Sequence, residues 1–205
     1  MSLARINTRI ATVADAPGVT RTIAAALHGD PVWSWAFPDP QRRSAQLDVW
    51  WRIYIHGALR HPWVWTTPAH EAAAVWIPPG GTELSAADEA GVESLLSDLL
   101  GTSSGRVITA LERFEAAHPR DQPHYYLSLY LSLLGTHPDY RGRGLGMGLV
   151  ADNLARIDAE HMPAYLESTN PANNARYERH GFVPGGDFSA SDGGPVVTSM
   201  WRNAR

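Results

Sequence analysis

Arg141-Gly-Arg-Gly-Leu-Gly146 follows an alternating apolar stretch, His124 to Leu134, and opens directly into the amphipathic run Leu149 to Ile157. That order predicts a strand, a glycine-rich loop and the start of a helix. Closely spaced glycines let the backbone turn sharply and leave N–H groups with no side chain in front of them. The new helix adds unpaired donors and the positive end of its dipole. Such a loop can cradle phosphate, or it can be a tight turn with no ligand. A Walker loop needs Lys and then Ser or Thr after its second glycine, and Leu145 and Gly146 follow Gly144 instead, so that reading fails. A dinucleotide fingerprint wants an acidic residue at a strand tip about 20 residues on. Asp158 and Glu160 lie near that distance but on a polar helix end.

The flanks carry more information. They read Leu134-Gly-Thr-His-Pro-Asp-Tyr-Arg-Gly-Arg-Gly-Leu-Gly146, then Tyr165-Leu-Glu-Ser-Thr-Asn170, then Asn173 and Tyr177-Glu-Arg-His-Gly-Phe182. Together these segments resemble the GNAT superfamily of acetyl-CoA-dependent N-acetyltransferases. The family's loop is Arg or Gln, Gly, any residue, Gly, any residue, Gly or Ala, after a strand ending in an aliphatic residue and a Pro two positions on. Thr136 stands where Val is usual, and Pro138 falls in place. The family's second motif, Asn-x-x-x-Tyr-x-x-x-Gly-Phe, is matched by Asn173, Tyr177, Gly181 and Phe182. The opening Arg9-Ile-Ala-Thr-Val-Ala-Asp15 and the Tyr165 and Tyr177 blocks look like puromycin N-acetyltransferase and its actinobacterial relatives. Asn170 is not shared by all of those relatives. The tandem Tyr126-Leu-Ser-Leu and Tyr130-Leu-Ser-Leu lengthens the strand before the loop and leaves the register of His124 to Tyr130 open, although a four-residue shift keeps each side chain on its face.

The resemblance implies an α/β fold of the acyl-CoA N-acyltransferase type, with a mixed, mostly antiparallel central sheet, flanking helices and one domain over residues 1–205. It also implies acetyl-CoA as the coenzyme. Backbone groups of Leu134, Gly135 and Thr136 then face the pantetheine arm, and an N–H there can polarise the thioester carbonyl. Gly142, Arg143, Gly144, Leu145, Gly146 and Met147 take the pyrophosphate. Arg141 and Arg143 add positive charge, though loop arginines are as often simply solvated. Asn173, one turn before Tyr177, can hold the coenzyme's amide, while Asn170 serves either that role or a helix N-cap.

Acetyl transfer to an amine needs a neutral amine, a polarised carbonyl and protonation of the departing thiolate. Tyr177 occupies the family's general-acid position. For the base, Glu167 on the strand facing the loop is the first candidate, with His124, Tyr126 or water as alternatives.

Composition is that of a globular protein: 205 residues, 44% hydrophobic and 19% charged. The chain has no cysteine, no run of 18 apolar residues and no signal pattern, so the expectation is a cytoplasmic protein without disulfides. A formal net charge of -4 with no basic run argues against nucleic acid or anionic membrane and suits a cationic small substrate. The nine His residues show no metal-ligand spacing, so no metal is expected. A monomer and a homodimer fit equally well.

Along the chain, Ile6 to Val13 reads as a strand, and Asp15 as the N-cap of a helix with Val19, Ile23 and Leu27 at four-residue spacing. Gln41 to Leu59 reads as a helix, and Trp63–Thr67 with Ala72–Ile77 as a hairpin. Ser85 to His118 carries two helical patterns that open on a Ser85/Asp88 capping box. Strands are expected at 164–168, 182–184 and 196–201. Six of the eight tryptophans fall between Trp33 and Trp65. Core packing accounts for most such clusters, but Trp33, Trp35 and Phe37 lie in a Pro-bounded stretch read as non-helical. They are therefore assigned to an aromatic acceptor pocket ahead of Trp50 or Trp51, together with His124 and Tyr126.

The resulting expectation is an enzyme that acetylates a primary amine, of the aminonucleoside antibiotic kind, and so confers antibiotic resistance. Its rivals are an acetyltransferase acting on a protein amine, an acyl-CoA-binding sensor without catalysis, and a dinucleotide-binding module.

Overall fold

A computed structural model describes residues 6–118 and 129–205. Among these residues, seven strands form one sheet in the order β1-β2-β3-β4-β5-β7-β6. They are β1 (Arg9–Ile10), β2 (Val64–Thr66), β3 (Ala72–Ile77), β4 (Leu129–Thr136), β5 (Ala164–Ser168), β6 (Val183–Ser189) and β7 (Val196–Arg202). Every pairing is antiparallel except β4 with β5. The helices are α1 (Ala16–Leu27), α2 (Pro31–Ala36), α3 (Arg43–Ala58), α4 (Ala86–Leu100), α5 (Ser104–Ala117), α6 (Leu145–Ala159) and α7 (Asn174–Glu178).

β3 is buried throughout because helices cover both faces of the sheet. Ala73, Val75 and Ile77 join the core beneath α1 to α5, whereas Ala72, Ala74 and Trp76 join the one beneath α6. This is the two-residue alternation of a strand covered on both sides. α6 buries Leu149, Val150, Asn153, Leu154 and Ile157 on one stripe. Buried Asn153 accepts from the Trp76 indole N–H at 2.9 Å, which satisfies a polar atom pair in that core.

Several elements depart from the sequence expectations. The first strand is only Arg9–Ile10, and its exit is set by Asp15. That carboxylate accepts from the Thr12 N–H at 2.8 Å and from the Arg9 guanidinium at 2.7 and 2.6 Å, so its side chain does not cap α1. The Pro-bounded stretch expected to be non-helical is α2. Asp30 caps it, with Oδ1 accepting from Val32 N–H at 3.0 Å and Trp33 N–H at 3.3 Å, and Pro31 opens the first turn. The hairpin forms, and Ser85 caps α4 through the Asp88 N–H. Gly101, at φ 54°, separates α4 from α5. Of the strand expected over His124 to Leu134, residues 129–134 lie in β4, which continues to Thr136, and 124–128 fall outside the described residues. No helix among the described residues is long and apolar enough to cross a membrane.

Candidate active site

Two irregularities of β4 create the site. Opposite Val75 and Trp76, β4 carries one extra residue, Ser132, so Ser132 and Leu133 both turn toward the α1–α5 side. On its other edge, β4 pairs with β5 only from Leu129↔Ala164 to Leu131↔Leu166. Beyond that point the two parallel strands separate. A cavity of about 320 Å³ opens between them, bounded by residues 131–134 of β4 and 166–170 of β5 and its exit. The rest of its wall comes from Asp30, Trp33, Trp51, Tyr54, Glu83, Phe114, Glu115, His118, Asn173 and Tyr177, among others. No arginine or lysine lines it among the described residues.

The glycine loop lies at the C-terminal end of β4. Gly142 and Gly144 hold φ at 79° and 75°, a region that favours glycine. α6 begins after Gly144 without a side-chain cap. Its first intrahelical bond runs from the Gly148 N–H to the Gly144 carbonyl at 2.9 Å, which leaves the N–H groups of Leu145, Gly146 and Met147 with no intrahelical acceptor. Leu145 and Met147 pack their side chains on the core beneath α6, so they offer a ligand their backbone. A Cβ on Gly146 would stand 2.6 Å from Thr136 Oγ1, and one on Gly135 would stand 2.8 Å from Ala26. These glycines let helices α6 and α1 approach β4 closely. Donors without acceptors at the start of a 15-residue helix, next to a strand edge that has lost its partner, fit a pyrophosphate and its pantetheine arm. Arg141 donates to the Ala26 carbonyl at 2.9 Å, and Arg143 lies over the Tyr140 ring at 5.1 Å.

Tyr177 projects from α7 and packs edge-on against Phe182. Its hydroxyl has no hydrogen-bond partner among the described residues, and the side chain lines the cavity. Burial, then the nearby charge of Asp30, pushes its pKa up to about 12. Asn173 lines the cavity as well. Asn170 does so while its Oδ1 accepts from the Ala172 N–H at 3.1 Å, which caps the turn before α7.

Glu167 lies on the α1–α5 face of β5, opposite the face packed on α6, because Leu166 takes that side. With 1% of its side chain exposed, it accepts from Tyr130 at 3.0 Å, Tyr165 at 3.1 Å and His118 Nδ1 at 3.1 Å. Burial opposes charge on His118, but the bond to Glu167 and its charge prevail and raise the imidazole above its ordinary value. Burial also raises Tyr130 and Tyr165.

Of the three aromatics assigned to the pocket, the structure brings one there. Trp33 lines the cavity. Phe37 is fully buried against Trp50, and Trp35 packs on the core with Arg106 over its ring. Trp51 and Tyr54 take their places because α3 runs along the cavity wall. His124 and Tyr126 lie outside the described residues. Asp30, Glu83 and His118 went unnoticed in the sequence. Only Asp30, before Pro31, carried a local signal, that of a helix cap.

Residues 104–184 match the acetyltransferase (GNAT) domain. Solved structures share the fold across nearly the whole chain. One is a Corynebacterium glutamicum protein described as histone acetyltransferase HPA2 and related acetyltransferase, at 23% identity over 98% of both chains and a TM-score of 0.66. Another is agmatine N-acetyltransferase in an apo form, at 14% identity over 98% of this chain and 100% of that one, TM-score 0.67. A third is a polyamine N-acetyltransferase of Drosophila melanogaster, at 15% identity over 96% and 99%, TM-score 0.62. The match supports an acetyl-CoA-dependent N-acetyltransferase, with acetyl-CoA as its coenzyme. The segment 141–146 falls within the matched residues and ends in the uncapped start of α6.

Proposed function

We propose that this chain acetylates the primary amine of a small molecule, and that the cavity at the β4/β5 separation receives that amine. One observation carries the reading: a cavity of about 320 Å³ lined by aromatic rings and carboxylates, with no basic side chain except His118 among the described residues. Carboxylates and aromatic faces attract ammonium groups, and the absence of Arg and Lys removes competing charge. The volume is at the small end for ligand sites. It suits a compact amine, or the amine-bearing end of a larger molecule such as an aminonucleoside of the puromycin type. Similar folds are named for agmatine and polyamine acetylation, which agrees with a cationic acceptor. The antibiotic-modifying reading goes with a cytoplasmic monomer or homodimer working without nucleic acid or membrane.

Bound acetyl-CoA supplies the thioester. We assign its pyrophosphate to the N–H groups following Gly144 and its arm to the free edge of β4 at Leu134 to Thr136. Asn173 and Asn170 lie beside that arm, and Arg141 and Arg143 add positive charge at the loop. The acidic wall attracts the ammonium, and Glu167 contributes to it by its charge. Tyr177 acts on the departing sulfur. A phenol near pKa 12 holds its proton throughout neutral pH. Full transfer to a thiolate near 8.5 would run uphill by a pKa gap of about 3.5, or roughly 5 kcal/mol. Its contribution is therefore a hydrogen bond to the charge developing on sulfur, and the last proton comes from water.

The test is release of free thiol from acetyl-CoA with puromycin, agmatine, polyamines and arylalkylamines as acceptors, against a protein that contributes no thiol of its own. Release with one amine class supports the reading and begins to define the pocket. Transfer to a peptide amine, with no small amine accepted, overturns it.

A further inference from the structure

Four carboxylates line the cavity, and their oxygens are not equally engaged. Asp30 is occupied at both: Oδ1 caps α2, and Oδ2 accepts from Thr169 at 2.7 Å. Glu167 is occupied at both by two phenols and an imidazole. Glu115, on α5, is exposed. Glu83 differs from Asp30 and Glu167. Its Oε1 accepts from the Ser132 hydroxyl, and its Oε2 has no partner among the described residues.

The fold holds Glu83 in place from both sides. Arg60, just past α3, donates to the Thr82 carbonyl at 3.1 Å and the Leu84 carbonyl at 2.6 Å. Gly57 lets α3 approach so closely that a Cβ there would collide with the Glu83 carbonyl oxygen. Ser132 is the extra residue of the β4 bulge, so the irregularity that turns this hydroxyl toward the cavity is the one that orients the carboxylate. A built, aromatic-walled cavity thus holds, in Glu83 Oε2, a carboxylate oxygen with no partner among the described residues.

We propose that Glu83 receives the ammonium group of the acceptor and takes its proton, making the amine nucleophilic inside the cavity. This rests on the acetyl-transfer reading of the same cavity. One N–H bond of the ammonium breaks, its electron pair stays on nitrogen, and the proton goes to Glu83 Oε2 and from there to solvent. The groups that act on Glu83 are Tyr54 of α3, Glu115 of α5, His118 at its end, Tyr130 of β4 and Glu167 of β5. Arg60 spends its guanidinium on backbone carbonyls. Burial, with the charges of Glu167 and Glu115, holds the Glu83 carboxyl above its ordinary value, against the pull of the Ser132 bond and His118. A carboxylate so placed is a stronger base than one in water.

The experiment compares kcat/KM across pH 7 to 10 for the wild type, Glu83→Gln and Ser132→Ala, with an amine the wild type acetylates. Glu83→Gln is expected to lose about 10²-fold at pH 7. The deficit should shrink as pH nears the amine's own pKa, around 10, where unprotonated amine no longer needs a base. Removing the Ser132 donor takes away a bond that favours the charged carboxylate, so the acidic limb of the Ser132→Ala profile should move to higher pH. A Glu83→Gln deficit constant with pH means structural damage and overturns the proposal, as does undiminished activity. If Glu83→Gln does not fold, an acidic limb that stays in place in Ser132→Ala overturns it instead. Wild-type protein that acetylates no amine overturns this proposal and the functional reading together, whereas an active wild type with an indifferent Glu83 removes only this one.

Discussion

Gly144 shows how one residue can separate folding from binding. Its φ of 75° strains any residue with a side chain, yet a Cβ there would meet no protein atom within 4 Å. Gly144→Val is thus expected to cost about 1–2 kcal/mol of stability through backbone strain. It should also weaken acetyl-CoA binding at least about tenfold by filling space in front of the loop's donors. Calorimetry with acetyl-CoA checks this, and unchanged affinity would remove the loop from the coenzyme site. Tyr177→Phe makes the opposite test. Losing one hydrogen bond to the sulfur should lower kcat about 10²- to 10³-fold while acetyl-CoA affinity holds. Because burial keeps the wild-type phenol protonated to about pH 12, kcat should show no descending limb from Tyr177 between pH 7 and 10.

At the scale of elements, the position of β7 beside β5 is locked from α6. Arg202, 3% exposed by side chain, donates to both oxygens of Asp158 at 2.6 and 2.7 Å and to the His180 carbonyl at 3.0 Å. The Arg202 hydrogen bond, above all, lowers the Asp158 pKa. A carboxylate depressed in the folded state contributes stability above its ordinary pKa near 4, and that stability is lost as pH falls below it toward the folded value. Asp158→Asn leaves a buried guanidinium unpaired and should cost about 3 kcal/mol at pH 7. The melting temperatures of wild type and variant should differ at pH 6 and begin to converge only as pH falls below about 4. A gap that stays constant from pH 6 down to the lowest pH at which both proteins fold would show that the pair's charge is not what stabilises this junction.

For the molecule as a whole, the coenzyme couples to folding. Its proposed site draws on β4, the loop after it and α6, so binding requires the assembled sheet. Acetyl-CoA at 100 times its Kd should add about 2.7 kcal/mol. In a chain of this size that raises Tm by roughly 5–11 °C. Differential scanning calorimetry should show this shift in the wild type and in Tyr177→Phe, and a much smaller one in Gly144→Val at the same concentration.

The loop Arg141 to Gly146, the strand before it and the helix after it were legible in the sequence because each has a local cause: φ freedom at glycine, two-residue alternation, and a helical stripe from Leu149 to Ile157. The Ser85 cap and the 64–77 hairpin were legible for the same reason. Asp30 carried a cap signal too, but two tryptophans between prolines hid the short helix it starts. The cavity has no such local signature. It exists because β4 and β5, more than thirty residues apart in the chain, pair for three residues and then part. That separation decided that Trp51 and Tyr54, rather than Phe37, face the acceptor space. It also brought Glu83 from the β3–α4 connection to Ser132 of β4, and His118 of α5 to Glu167 of β5. Local conformational preference therefore determined the coenzyme loop from sequence alone, whereas the acceptor site follows from strand register and bulge geometry, which are settled only when the whole sheet packs.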